Sequence, residues 1–247
     1  DGKHLYGKIV QGRRTFILEP VSGDRHVLYE IDSSKILASA DRADDAIPVE
    51  ITEPPHVAHV PVGTVADPVR LRVMAAFTAE AWAREINPEL SVAAWIFEVN
   101  QGLVYSNVMF RYQLVHVVRT DAKENPDDRQ MLNDVTNGAG PFADIERLRR
   151  EHRAHLVSLI VDKTGACGVA WLNAYYARAY SVVMSSCARA SLSMAHELGH
   201  NLSADHESDN NGSWRPYSHG FGIDGAAHSN MGSSVPCPND CSRVNLW

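Results

Sequence analysis

The chain has 247 residues, 45% hydrophobic and 21% charged, with a formal net charge of -7. This composition supports one sizeable core, alone or with a small extra module. The mild acidic excess argues against a nucleic-acid partner, and no apolar run approaches the roughly 18 to 20 residues that span a bilayer.

The sequence opens at Asp1 without an initiator Met or a signal peptide, as expected of a processed or trimmed piece of something longer. Its first 31 residues read as three short strands, "HLYGKIV", "RRTFILEP" and "RHVLYEID", parted by turn signals at Gln11-Gly12 and Ser22-Gly23-Asp24. That pattern predicts a small antiparallel meander. Residues 32 to 68 lose periodicity and carry prolines at 48, 54, 55, 61 and 68. They read as a linker or strap lying on the surface, and as the best domain boundary in the chain.

The pattern then becomes α/β. "VRLRVMAAF" (69–77) alternates and then runs apolar, as a mostly buried strand does. Asn87-Pro88 predicts an N-cap with Pro at the first helical position. The helix behind it carries Leu90, Ala94, Phe97 and Gln101 to Val104 at helical spacing and ends near Ser106-Asn107. "FRYQLVHVVR" (110–119) alternates as a strand, "DAKENPDDR" is a polar loop, and "PFADIERLRREHR" is a short amphipathic helix begun by Pro141. "HLVSLIVD" (155–162) is a continuous apolar run of strand length and predicts a central strand. "AYSVVM" is a further strand, followed by "ASLSMAHELGHNL" as a helix. The order predicts an α/β (α+β) fold, a twisted mixed sheet with helices packed on it.

All four cysteines, Cys167, Cys187, Cys237 and Cys241, lie in the second half. An even count fits two disulfides in an exported protein, paired by proximity as Cys167–Cys187 and Cys237–Cys241; four buried free thiols in a cytosolic protein is the alternative. Zinc ligation by cysteine is a third reading, but "CPNDC" lacks a second matching pair.

The chemistry concentrates in "SMAHELGHNLSADHESD", residues 193 to 209. Positions i and i+4 share a helix face, so His196 and His200 present two imidazoles to one metal ion. Glu197, beside the first ligand, is angled toward water at the metal rather than the metal itself. Zinc brings the pKa of such water near 7, and the carboxylate takes its proton during attack on a carbonyl. The third ligand, leaving one position open, is His206 if the chain turns back sharply after Leu202. With 12 histidines in the chain an i, i+4 pair can arise by chance. The third histidine six residues on makes a zinc centre the stronger reading.

"HELGHNLSADH" resembles the HExxHxxGxxH pattern of the metzincin metallopeptidases, and "HSNMGSS" offers Met231 for their Met-turn, the hydrophobic floor beneath the metal. The segments "RYQLVHV", "HLVSLIVDKTGACGVAWLN", "YSVVMSSCARASLSMAHELGHN" and "CPNDCSRVNLW" are similar, in the same order, to the bacterial peptidyl-Asp metalloendopeptidases, relatives of the adamalysin/reprolysin-like enzymes. The resemblance covers roughly residues 69 to 247. It implies a metzincin-like catalytic domain over 67–247, with one catalytic Zn2+ and an active-site helix. Residues 1–66 resemble the end of a propeptide, here a small antiparallel β remnant and linker. Also implied are endoproteolysis of a protein or peptide substrate, latency held by the chain's own propeptide segment, and secretion to the extracellular space or periplasm. A preference for bonds on the amino side of aspartate would need a basic subsite, for which Arg178, Arg189, Arg215 and Arg243 are unranked candidates.

Two positions depart from the pattern. Ser203 stands where the family has a glycine that turns left-handed, at a strain of order 1 kcal/mol for a non-glycine residue. Ser233 stands where a tyrosine usually helps hold the oxyanion, a loss that can cost about two to three orders of magnitude in rate. Both favour an alternative, a weakened or inactive peptidase fold that binds a peptide or protein partner; the retained Glu197 opposes it. Met184 precedes the ligands and reads as core, His219 and His228 as polar-loop residues, and "HESDNNGS" as a solvated loop rather than a calcium site. No cysteine precedes residue 167, so an inhibitory N-terminal segment must use occlusion, a carboxylate or a histidine. "SADRADDAIPVE" and His56/His59 are the sources. A linker that only packs on the surface is the competing reading.

Overall fold

The structure is a computed structural model that describes residues 4–11, 14–22, 24–32, 45–49, 63–64, 66–207, 218–223, 227–232 and 242–247. Strands β1 (Gly7–Gln11), β2 (Arg14–Ser22) and β3 (Arg25–Ile31) form the expected antiparallel meander, in the order β1-β2-β3. Ile17 on β2 is fully buried.

The main sheet has six strands: β4 (Ala46–Pro48), β5 (Val69–Phe77), β6 (Phe110–Arg119), β7 (Leu156–Val161), β8 (Gly168–Leu172) and β9 (Tyr180–Met184). Their order is β4-β8-β9-β7-β5-β6. β6, β5, β7 and β9 run parallel, β8 is antiparallel to β9, and β4 is parallel to β8. Every residue of β7, β8 and β9 is buried, as strands covered on both faces require. Between β7 and β9 the cross-strand pair Ser158 and Ser181 satisfies its buried hydroxyls mutually, 2.8 Å apart.

Four features correct the sequence expectation. Residues 45–49 are not a free strap: β4 joins the sheet edge, and Asp45 is buried although Pro48 is exposed. "GVAWL" forms β8, a strand too short and too fully buried to alternate. The helices α1 (Ala79–Arg84) and α3 (Asp128–Asn137) were not expected. Thr78 caps α1, and Asp127 caps α3, which ends on left-handed Gly138. The polar loop thus stops at Asp127.

Helix α2 (Pro88–Tyr105) starts as expected, with the Asn87 side chain accepting from Leu90 N–H. Its buried stripe, however, is Val92, Trp95, Ile96, Val99 and Leu103, while Phe97 is 64% exposed. The sequence carries two overlapping apolar stripes, and the one holding Trp95 wins the core. There it packs with Phe77, Leu198 and Ile160. The amphipathic segment after Pro141 is a 3-10 turn, Gly140–Phe142, and then α4 (Ile145–Glu151).

The single helix expected over 190–202 is two, α5 (Ser185–Ser191) and α6 (Ser193–Asn201), broken where Leu192 turns left-handed at φ 61°. Cys167, just before β8, is disulfide-bonded to Cys187 on α5. Cys237 and Cys241 lie outside the described residues. Among the described residues no helix is long and apolar enough to cross a membrane.

The Cys167–Cys187 bond closes a loop with a sequence separation of 20. Replacing both by alanine should lower unfolding free energy by about 3 kcal/mol in equilibrium urea titration.

Candidate metal centre

Helix α6 carries the first two candidate ligands, and every one of its residues is buried. Its C-terminal Asn201 donates from Nδ2 to the carbonyls of Trp171 on β8 (2.8 Å) and Tyr180 on β9 (3.0 Å), fixing the helix on the sheet. Beyond Leu202 the chain reverses: Ser203 N–H donates to His200 O (2.9 Å) and Ala204 N–H to Gly199 O (3.0 Å). That paired closure is a Schellman turn, and it puts Ser203 at φ 72°, the left-handed conformation expected to strain a serine.

The reversal delivers His206. Asp205 Oδ1 accepts from its backbone N–H (2.8 Å), and Asp205 is paired in turn with the 218–220 segment.

His196, His200 and His206 then converge. Nε2 of His196 lies 3.0 Å from Nε2 of both His200 and His206. His196 Nδ1 faces Asn230 O at 2.7 Å, and His200 Nδ1 faces Ala204 O at 2.8 Å. A carbonyl only accepts, so both Nδ1 atoms carry hydrogen, and in the neutral rings both Nε2 atoms are bare acceptors. Two such lone pairs aimed at each other repel; a cation among them converts the repulsion into ligation. The carbonyls behind the rings are what metal-bound histidines ordinarily use to fix tautomer and orientation.

A fourth donor, absent from the sequence expectation as a ligand, is Asp45. Its Oδ1 lies 3.0 Å from His206 Nε2 and 3.3 Å from His200 Nε2, and its Oδ2 lies 3.5 Å from His196 Nε2. Burial pushes this carboxyl up; when a proton rather than a metal ion sits among the rings, the charge of His196 and hydrogen bonds from the imidazoles outweigh it. The group is held well below the usual carboxylate range. The four donor atoms lie within 4.8 Å of one another, and all four residues are buried. A tetrahedral zinc with bonds of about 2.0–2.2 Å has ligand-to-ligand edges of roughly 3.3–3.6 Å, close to the spacing of these donors, so the residues present fit that ion.

Glu197 is fully buried beside the ligands. Gly168 at the start of β8 makes room for it: a Cβ there would lie 2.4 Å from Glu197 Oε1. Met231 is buried against α6 at Gly199, between the two helical ligands, where an added Cβ would lie 2.3 Å from its Sδ. Asn230, whose carbonyl holds His196, is the residue before it.

The remaining expectations divide. Met184 is core, and His219 sits in the loop after the ligands with Nδ1 3.0 Å from His206 O, whereas His228 is not a polar-loop residue: it is buried on the two-residue strand Ala227–His228, with Nδ1 3.2 Å from Ser229 O. Ser233, Arg215, His56 and His59 lie outside the described residues, as does the 208–213 part of "HESDNNGS". Arg178 stacks over Trp171 at 4.8 Å. Arg189 is paired with Glu19 and Glu85, and Arg243 donates to the carbonyls of Ser191 and Gly232. The only sequence signal for Asp45 was a carboxylate-rich stretch without a cysteine, and three other acidic residues share that stretch.

Residues 90–207 match the family model of the metallo-peptidase family M12B, reprolysin-like. A peptidyl-Asp metalloendopeptidase of Stenotrophomonas maltophilia (strain R551-3) is 30% identical over 258 residues, covering 100% of this chain and 61% of that protein. A peptidyl-Asp metalloendopeptidase of Xanthomonas campestris pv. campestris is 27% identical over 254 residues, covering 60% of its length. The chain thus spans about three-fifths of these curated relatives. Among solved structures, one described as the structure of a chaperone-substrate complex aligns with 73% of this chain and 29% of that one. Its TM-score is 0.56 at 18% identity, a likeness of fold.

Because Ser203 holds a glycine conformation, Ser203→Gly should raise unfolding free energy by up to about 1 kcal/mol. Metal content by atomic emission should stay at one ion per chain; a destabilised variant would contradict the strain.

Proposed function

Because residues 90–207 match the family model of the metallo-peptidase family M12B, reprolysin-like, we propose that the chain is a zinc-dependent endopeptidase that hydrolyses peptide bonds of a protein or peptide substrate. The observation that carries this reading is the convergence of three imidazole Nε2 atoms, two of them necessarily acceptors, beside a buried glutamate. His196, His200 and His206 hold the ion. When bound, zinc polarises a carbonyl and brings the pKa of water near 7. Glu197 accepts a proton on its carboxylate and returns it to the departing amine nitrogen, a general base that becomes a general acid. Gly168 keeps that carboxylate in position, and Met231 packs beneath the helical ligands.

The substrate lies along β8, which would be the open edge of the sheet were β4 not paired to it. An extended peptide adds to such an edge as a further strand. Residues 67–247 act as the catalytic domain, and residues 1–66 as its own prosegment partner. The buried disulfide supports export to the extracellular space or periplasm. The names of the relatives support cleavage next to aspartate. The alternative of an inactive binding protein loses one of its supports, because the turn at Ser203 is formed and delivers His206 to the ligand cluster.

Digestion of a mixed peptide library, read by mass spectrometry, tests the reading. The form starting at residue 67 should cut in a chelator-sensitive way, and faster than the full-length chain, whose β4 occupies the edge of β8. Glu197→Gln should retain zinc while losing at least about a hundredfold in rate. Zinc-loaded protein that leaves every peptide intact in both forms would favour the binding-protein alternative. Gly168→Ala, which presses a methyl on the Glu197 carboxylate, should likewise keep zinc and lose roughly a hundredfold in kcat, since a shift near 1 Å at a reacting group costs that much.

A further inference from the structure

Resting on the endopeptidase reading, we propose that Arg243 selects the substrate: its guanidinium takes the side-chain carboxylate of an acidic residue on the amine side of the scissile bond. Local pairing brings Arg243 to the site. Ser242–Arg243 lies alongside the strand Ala227–His228, with Arg243 opposite His228, and Val244 N–H donates to His228 O at 2.8 Å. The side chain then spans two walls. Nη1 donates to Ser191 O at 3.0 Å, at the end of α5, and Nη2 donates to Gly232 O at 3.3 Å, on the residue after Met231. Both walls belong to the candidate metal centre. Ser191 Oγ lies 2.9 Å from Oγ of Ser193, the first residue of α6. Asn230, two residues before Gly232, orients His196 through its carbonyl.

Glu197 decides which side of the bond this is. It returns its proton to the departing nitrogen, so the residue that keeps that nitrogen lies on the Glu197 side. Ser193 stands one helical turn before Glu197 on the same face of α6. That face leads from the carboxylate back to the α5–α6 junction, where Nη1 of Arg243 is fixed. A carbonyl orients a guanidinium without cancelling its charge, and the planar fork matches a carboxylate. Two other arginines differ. Arg189 is committed to the carboxylates of Glu19 (3.0 Å) and Glu85 (2.6 Å). Arg178 stacks over Trp171, which packs in the cluster of Met74 and Ala76. That cluster lies across the sheet from the one that holds Val73, Ala75 and Leu198 of α6. Arg178 is thus on the face turned away from the ligand helix.

The test is a set of peptides that differ only in the residue after the cut: Asp, the isosteric Asn, or Ala. They would be offered to the full-length chain and to the form starting at residue 67, with kcat/KM read by mass spectrometry. The wild type should favour Asp over Asn at least about tenfold, as a charge-assisted hydrogen bond provides. Arg243→Gln keeps an amide donor for a carbonyl but carries no charge. It should abolish the preference while cutting the Asn and Ala peptides near the wild-type rate. Arg243→Lys, a point charge without the fork, should fall between. Arg178→Ala should keep the preference. An Arg243→Gln variant that slows every peptide alike and still favours Asp makes the residue structural and overturns the proposal. Should Arg243→Gln fail to fold, a reduced preference in Arg243→Lys supports the proposal and an equal one overturns it. A preference lost in Arg178→Ala instead overturns the assignment to Arg243. Wild type that cuts all three peptides equally overturns the acidic subsite and leaves the endopeptidase reading standing. No cutting of any peptide by either form overturns both.

Discussion

Everything in this protein is arranged around an unfavourable contact: three imidazole nitrogens aimed at one point, with His196 Nε2 3.0 Å from each of the other two. Neutral rings with both Nδ1 atoms committed to carbonyls would not stay there unaided. The chain holds them by over-determining each one. α6 is buried on all sides and pinned by Asn201, a Schellman turn reverses the chain, and the loop at 205–206 is hydrogen-bonded to the 218–220 segment. The cost of the convergence is spread over these supports and is recovered when a cation enters. The strain at Ser203 belongs to the same account: surrounding structure overrules a local preference of order 1 kcal/mol.

A sheet that places such a centre beside its last strand also creates an exposed edge, which other chains can extend. The same row of N–H and C=O groups on β8 that suits a substrate would suit any extended segment. Here the edge is covered by the protein's own β4, where Pro48 is tolerated because an edge strand need not donate at every position. The five residues that cover the edge also bring the Asp45 carboxylate to the three imidazoles.

Most of residues 69–247 was legible in the sequence because its signals are local. Helical spacing put His196 and His200 on one face, Asn87-Pro88 marked the start of α2, and the apolar run at β7 marked the sheet centre. What stayed hidden depends on long-range packing. Phe97 and Trp95 offer competing stripes, and only the shape of the core chooses Trp95. β8 is five buried residues without alternation, and its glycine is explained only by the glutamate it faces. Asp45 is one acidic residue among several in a proline-bearing stretch. Nothing local distinguishes it, because its partners lie more than a hundred residues further along the chain.

The backbone at Asn230 has a consequence for how the protein is made. The carbonyl that orients His196 belongs to a residue whose N–H donates to Leu246 O at 2.9 Å and whose side chain donates to Asn245 at 3.1 Å. Residue 247 in turn donates its N–H to Ser106 on the α2 cap, tying this stretch to the body of the fold. A ribosome emits the chain from its amino end, so the segment bearing Asp45 exists long before residues 245 and 246 can set the first imidazole. The first imidazole therefore takes its final orientation only once nearly the whole chain has been made.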